Sequence, residues 1–185
     1  MAFGKINGIR THYLVDGSKD YPTITFIHWQ AFDVGSWSRQ IDAFKDQFQI
    51  LRIDLRGHGL TEVGELVNDL RILNIAEDMI GVWDYLEIKR SHYVGKSLGG
   101  MVGFDLALHN ADRLNSLTLA ATQGKMPCGS LDRMRRNAED YRKSPLKMKF
   151  AAGQLLSRYL PESYKKNDPT AVSYTHLTLP TLLRV

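Results

Sequence analysis

Along the chain, short unbroken apolar runs alternate with stretches whose apolar residues recur every three or four positions. The first pattern suits strands buried on both faces, the second amphipathic helices that cover them. Their alternation predicts an α/β fold: a mostly parallel sheet with helices on both faces. Phe3–Ile6 and Ile9–Val15 flank Asn7-Gly8, the strongest short hairpin signal. Thr23–Ile27, Phe48–Ile53, Ser91–Val94 and Leu114–Ala121 read as buried strands. Ser36 offers an N-cap to a helix over Trp37–Phe44, with Trp37, Ile41 and Phe44 on one face. Asn74 with Glu77 resembles a capping box that opens a helix through about Leu86, striped by Ile75, Met79, Val82, Trp83 and Leu86. Leu98–His109 reads as a third helix. Right-handed crossovers restrict the topology, and the predicted order of six strands is 1-2-4-3-5-6.

After Gly124 the character changes to charged, amphipathic segments, Ser130–Arg142 and Leu146–Leu160, the second ended by Pro161. The chain therefore divides into a core over residues 1–124, a partial helical cap over 125–171 and a tail over 172–185. The tail turns abruptly to Thr/Leu alternation. Read back into codons, residues 172–181 fit a transposon-type sequencing adapter in frame, and the tail is expected to be non-native. A short edge strand is the competing reading. His176 lies in this tail, so it is not recruited as a catalytic base.

Composition then narrows the class. The 185 residues are 43% hydrophobic and 24% charged, as in one ordinary globular domain with a real core. The single cysteine, Cys128, cannot close an internal disulfide, which places the expected location in a reducing cytoplasm. No run reaches the roughly 18 apolar residues of a membrane span, and the first residues lack a signal peptide's apolar segment. Lys and Arg exceed Asp and Glu by 24 to 20. The excess gathers in Arg133-Met134-Arg135-Arg136, Lys147-Met148-Lys149 and Lys165-Lys166. These read as solvated helix faces, with steering of anionic substrates as the functional alternative. No aromatic interleaving supports nucleic-acid binding. No metal or cofactor signature is read.

The chemistry concentrates in Val94-Gly95-Lys96-Ser97-Leu98-Gly99-Gly100, a G-x-S-x-G between a buried strand and a helix. That context predicts a nucleophile elbow. Gly95 and Gly99 leave room for the tight turn, and Ser97 stands at a helix N-terminus whose free N–H groups favour developing negative charge. The bland alternative is a glycine-rich turn with an incidental serine. Asp54-Leu55-Arg56-Gly57-His58-Gly59 and Ile27-His28-Trp29-Gln30 each follow a strand, at the carboxyl edge where ligands bind.

With these segments the chain resembles the α/β-hydrolase family over about residues 2–170. Within it, the chain is most similar to the 3-oxoadipate enol-lactonase group. Phe3 to Arg10 resemble the family's N-terminal hairpin, Asp54 to Gly59 its D-x-R-G-H-G loop, and Gly99-Gly100-Met101-Val102-Gly103 the run after the serine in the lactonases and their haloperoxidase-like cousins. Arg158-Tyr159-Leu160-Pro161 resembles one of its cap-helix endings. The resemblance implies a serine hydrolase of a small ester or lactone, with 3-oxoadipate enol-lactone as the preferred guess. It implies that Ser97 is the nucleophile and that the backbone N–H groups of Leu98 and Gln30 form the oxyanion hole. Trp29 replaces the glycine of the common H-G pattern, from which the lactonase group also departs; it either lines the acyl pocket or packs under the cap. His28 and His58 read as loop-organising residues, and Lys96 as a snorkelling lysine or a charge near a substrate carboxylate. Epoxide hydrolases and haloalkane dehalogenases of this fold use Asp as nucleophile, so Ser97 speaks against them. A haloperoxidase-like esterase and a non-catalytic ligand-binding protein are the alternatives.

A serine nucleophile also needs a base and a carboxylate, in this fold in the order Ser, Asp or Glu, His. After Ser97 only His109 and His176 occur. His109 lies 12 positions along the same helix, about 18 Å away at 1.5 Å per residue. The chain thus reads as the N-terminal two-thirds of a hydrolase, expected to be inactive as written and to leave the strand Leu114–Ala121 as a raw sheet edge.

Overall fold

A computed structural model describes residues 2–65 and 71–125, together with Gly129, Arg136 and Lys143. Six strands form one sheet in the order β1-β2-β4-β3-β5-β6. Strands β1 (Ala2–Ile6) and β2 (Ile9–Asp16) make an antiparallel hairpin. Asn7 and Gly8 turn it with φ of 47° and 83°, the twist that Asn-Gly supplies. β2 also pairs antiparallel with β4 (Gln49–Ile53), whereas β3 (Thr23–Ile27), β5 (Ser91–Lys96) and β6 (Leu114–Ala120) extend the sheet in parallel.

Alternation along the strands sends successive side chains to two separate cores. On one face Ile27, Leu51, Ile53 and Tyr93 pack with Met79, Trp83 and other residues of α2 (Ile72–Tyr85) and with Val102 and Leu106 of α3 (Leu98–His109). On the other, Ile24, Phe26 and Ile50 meet Trp37 and Ile41 of the segment leading into and forming α1 (Ser38–Phe44). The expected architecture, strand order and two-faced helical cover are therefore present in the described residues. Residues 1–124 form one compact unit and 125–184 a second. The expected cap and tail lie outside the described residues except at Gly129, Arg136 and Lys143.

Three local expectations need correction. Ser36 does not cap α1: a 3-10 turn over Val34–Trp37 intervenes, and Asp33 caps it by accepting from the Gly35 N–H at 2.8 Å. Ser36 instead donates its hydroxyl to the Asp33 carbonyl. Asn74 is likewise not an N-cap. α2 starts two residues earlier, and the Asn74 side chain reaches back to accept from the Arg71 N–H at 3.1 Å. Finally, β6 is not a fully buried strand. None of its residues is fully buried, because among the described residues it pairs only with β5 and stands at the sheet edge.

One buried and one half-buried ion pair tie the strands to their surroundings. Arg56 grips Asp78 of α2 through two 2.7 Å bonds, and Asn7 of the hairpin donates to the same carboxylate. Arg52 joins Asp16 at 2.7 Å and donates to the Val34 carbonyl. Removing one partner of such a pair strands a buried charge. Asp78→Ala is expected to cost about 3–5 kcal/mol in urea unfolding. Asp42→Ala, which breaks only the exposed contact with Lys45, is expected to leave the unfolding midpoint unchanged.

Candidate active site

Ser97 sits between β5 and α3 with φ 51° and ψ −109°. A non-glycine residue held in that region carries strain of about 1–3 kcal/mol, which the surroundings must over-determine. Several contacts do so. The Ser97 N–H donates to the Ala120 carbonyl at 2.9 Å, while the Ser97 carbonyl accepts from the Thr122 hydroxyl at 2.7 Å and the Met101 N–H at 3.0 Å. The buried Tyr93 hydroxyl donates to the Gly99 carbonyl at 2.6 Å. A Cβ on Gly95 would run into the Gly99 carbonyl, and one on Gly99 would lie 2.6 Å from the Ile27 carbonyl oxygen. Both glycines are fixed by this close approach of α3 to the sheet.

Leu98 opens α3, so its N–H is among the first-turn donors without an intrahelical acceptor. Gln30 lies in the turn after β3, and pairing of Ile27 with Gly95 brings that turn beside the Ser97 turn. The Phe32 N–H donates to the Trp29 carbonyl at 3.2 Å, with Ala31 at φ 66°. The Trp29 ring packs 4.5 Å from Phe32 and 6.2 Å from Trp37, centre to centre, and Lys96 Nζ lies 4.0 Å from its centroid. Lys96 is thus partly buried against an aromatic face.

His28 is fully buried with both ring nitrogens used. Its Nε2 accepts from the Leu55 N–H at 3.0 Å, so the proton sits on Nδ1, which donates to the Trp29 carbonyl at 2.8 Å. Burial, and then the neighbouring His58, lowers its pKa to about 4. His58 is also pushed down, chiefly by burial, and packs 5.2 Å from the His28 ring. His28 is therefore a neutral brace between two loops. Asp54 is a second brace. Its carboxylate accepts from the Val34 and Leu60 N–H groups and from His12 Nδ1 at 2.7–2.9 Å. Gly59 lies so close to that carboxylate that a Cβ would overlap it.

Sequence reasoning placed Ser97, Leu98, Trp29 and Gln30 in one region, and the two turns that carry them are adjacent. It missed Tyr93, Thr122, His12 and Asp78. Asp78 had left a signal, a carboxylate inside the apolar stripe of α2, three positions after Ile75. Among the described residues no cluster of three His, Cys, Asp or Glu side chains could hold a metal ion. No described helix is long and apolar enough to cross a membrane. His109 ends α3, opposite Ser97, on the Asp105 carbonyl. His176 lies outside the described residues.

The lowered histidines make stability depend on pH. The unfolded chain binds protons near pH 6.5 that folded His28 refuses until about pH 4. Stability is therefore complete above about pH 6.5 and falls as pH drops toward 4. Thermal melts at pH 7.5 and 4.5 are expected to show this loss, and His28→Asn should flatten the dependence.

The family profile described as alpha/beta hydrolase fold matches residues 24–149. Two 3-oxoadipate enol-lactonases of Acinetobacter baylyi are similar: one is 31% identical over 112 residues, the other 30% over 118. These alignments cover 60% and 64% of the chain but only 41% and 43% of the relatives. The chain spans less than half the length of these curated relatives. The crystal structure of the enol-lactonase from Burkholderia xenovorans LB400 superposes with a TM-score of 0.81 at 25% identity, covering 98% of this chain and 72% of that one. Matching profile, relatives and fold agree with the elbow geometry: the chain belongs to the alpha/beta hydrolase fold family.

Proposed function

We propose that this chain carries the nucleophile half of a serine hydrolase that cleaves a small ester or lactone, with an enol-lactone such as 3-oxoadipate enol-lactone the preferred substrate. The observation that carries the reading is the backbone of Ser97, held at positive φ at the head of α3. Strain of this kind lifts a side chain off the strand and aims it over the helix N-terminus, a geometry that serves nucleophilic attack. The enol-lactonase relatives support the substrate class.

In this mechanism Ser97 Oγ attacks the carbonyl carbon, and the former carbonyl oxygen takes the negative charge. The Leu98 and Gln30 N–H groups receive that oxyanion, and Trp29 bounds the acyl side of the site. The proton of Ser97 passes to a base, which then protonates the leaving alcohol oxygen. Four of the described histidines do not suit that role. His28 has both nitrogens engaged and His12 is committed to Asp54. His92 bonds Ser116 near the start of β5, and His109 sits at the distant end of α3.

Two measurements test the proposal. In the full-length protein, a fluorophosphonate probe is expected to label Ser97, and Ser97→Ala is expected to abolish labelling. Label that persists in that variant places the nucleophile elsewhere, and a wild type that takes no label points to a ligand-binding protein instead. The 185-residue chain itself is expected to hydrolyse p-nitrophenyl acetate no faster than its Ser97→Ala variant. A clear excess over the variant reveals a base and brings His176 back into consideration.

A further inference from the structure

The turn after β3 must hold the Gln30 N–H steady if it is to receive charge, yet within the turn a single 3.2 Å backbone bond, Phe32 N–H to the Trp29 carbonyl, closes it. Ala31 occupies φ 66°, a region that a residue with a Cβ leaves readily unless its neighbours forbid it. A bulky Trp29 also stands where the common H-G pattern of the wider family has glycine. One flank of the turn is well secured. His28 bridges to Leu55, Asp54 accepts from the Val34 N–H, and Arg52 donates to the Val34 carbonyl. All three anchors come from the β4 side. The flank facing β5, where Ser97 sits, has a different kind of contact. There Lys96 Nζ lies over the Trp29 indole, 4.0 Å from the ring centroid.

This contact has the makings of a clamp. The indole is already packed edgewise on Trp37 and tilted on Phe32, so its orientation is set. Its Nε1 is buried without a hydrogen-bond partner among the described residues, so the polar hold on the ring comes through its face. An ammonium over an indole face is attracted to the ring's negative quadrupole, and more strongly where water is excluded. Lys96 is covalently next to Ser97, and Trp29 is next to Gln30. The contact therefore joins the nucleophile's strand to the turn carrying the second proposed oxyanion donor by the shortest side-chain route.

We propose that Lys96, seated on the Trp29 indole, is a positioning residue that fixes the β3 turn so that the Gln30 N–H faces the Ser97 oxyanion. The inference rests on the serine-hydrolase reading above and adds a residue pair to it. In this role Lys96 acts through Trp29, whose ring its Nζ meets 4.0 Å from the centroid, rather than on the reacting atoms. Because the turn matters only once charge develops on the substrate oxygen, loosening it slows acylation without weakening substrate binding.

The test is a double-mutant cycle in the full-length protein, read by the rate of fluorophosphonate labelling and by kcat and KM on p-nitrophenyl butyrate. Lys96→Met keeps the stem and removes the charge; it is expected to slow labelling and lower kcat about tenfold, which is about 1.4 kcal/mol, with KM within about twofold of wild type. Lys96→Arg retains a cation for the ring and is expected to restore both rates to within about twofold. Trp29→Leu is expected to slow labelling by a similar factor, and in that background Lys96→Met should cost less than about twofold more. Should Lys96→Met fail to fold, Lys96→Gln takes its place with the same expectation, and the Arg and Leu variants stand by themselves. Unchanged labelling in the uncharged variant overturns the proposal. So does an undiminished cost of that variant when Trp29 is already Leu, or a loss that falls in KM rather than kcat. Labelling that survives Ser97→Ala marks failure of the serine-hydrolase reading instead, and so keeps the two outcomes apart.

Discussion

The close approach of α3 to the sheet is the constraint on which the rest of the structure depends. The first turn of the helix comes so near to β3 and β5 that neither Gly95 nor Gly99 has space for a Cβ. That proximity forces Ser97 into positive φ, because a relaxed strand-to-helix connection would carry the helix away from the strand ends. The strain is held by groups a reader of the fold might take as incidental: the Tyr93 hydroxyl on the Gly99 carbonyl and the Thr122 hydroxyl on the Ser97 carbonyl. Removing the Thr122 hydroxyl leaves the Ser97 carbonyl with the Met101 N–H alone, and removing the Tyr93 hydroxyl takes a 2.6 Å donor from the Gly99 carbonyl.

The loops around the turn are built on the same plan, with buried polar groups spent on position rather than on solvation. Asp54 joins the end of β4 to β2 through His12 and to the segment before α1 through Val34. His28 joins β3 to β4 as a neutral donor–acceptor, and its lowered pKa follows from that burial. Arg56 and Asp78 attach the loop after β4 to α2. The ends of β3 and β4 are thereby cross-linked to their neighbours. A rigid frame of that kind suits a site whose donors must be in place before charge develops.

Most of the architecture was legible because it follows from periodicity. The Thr23–Ile27 run, the Asn7-Gly8 turn and the helix over Leu98–His109 were readable to the residue, since each depends on local rules. The elbow was legible because G-x-S-x-G fell between a strand and a helix. What escaped depended on distant partners. Asp78 stands as a lone carboxylate in the apolar stripe of α2, and its partner Arg56, 22 positions away, is found only once the fold brings them together. Asn74 looks like a cap because Asn and Glu three apart form a local signature, yet Ile72 and Leu73 extend the helix upstream and turn Asn74 into an interior brace. The apolar residues of β6 read as a core strand, but its place as an open sheet edge was also legible and is where the described sheet has it. Lys96 was readable as a cation near the serine, but not as one seated on Trp29, because only the pairing of β3 with β5 makes them neighbours.

The central claim is that the Ser97 turn and the β3 turn together form an acyl-transfer site. A crystal structure of the full-length protein after reaction with a fluorophosphonate tests it most directly. The account predicts phosphorus bonded to Ser97 Oγ and a phosphonyl oxygen within about 2.7–3.1 Å of both the Leu98 and Gln30 backbone nitrogens. An adduct on another residue, or a phosphonyl oxygen turned away from both nitrogens, would contradict it.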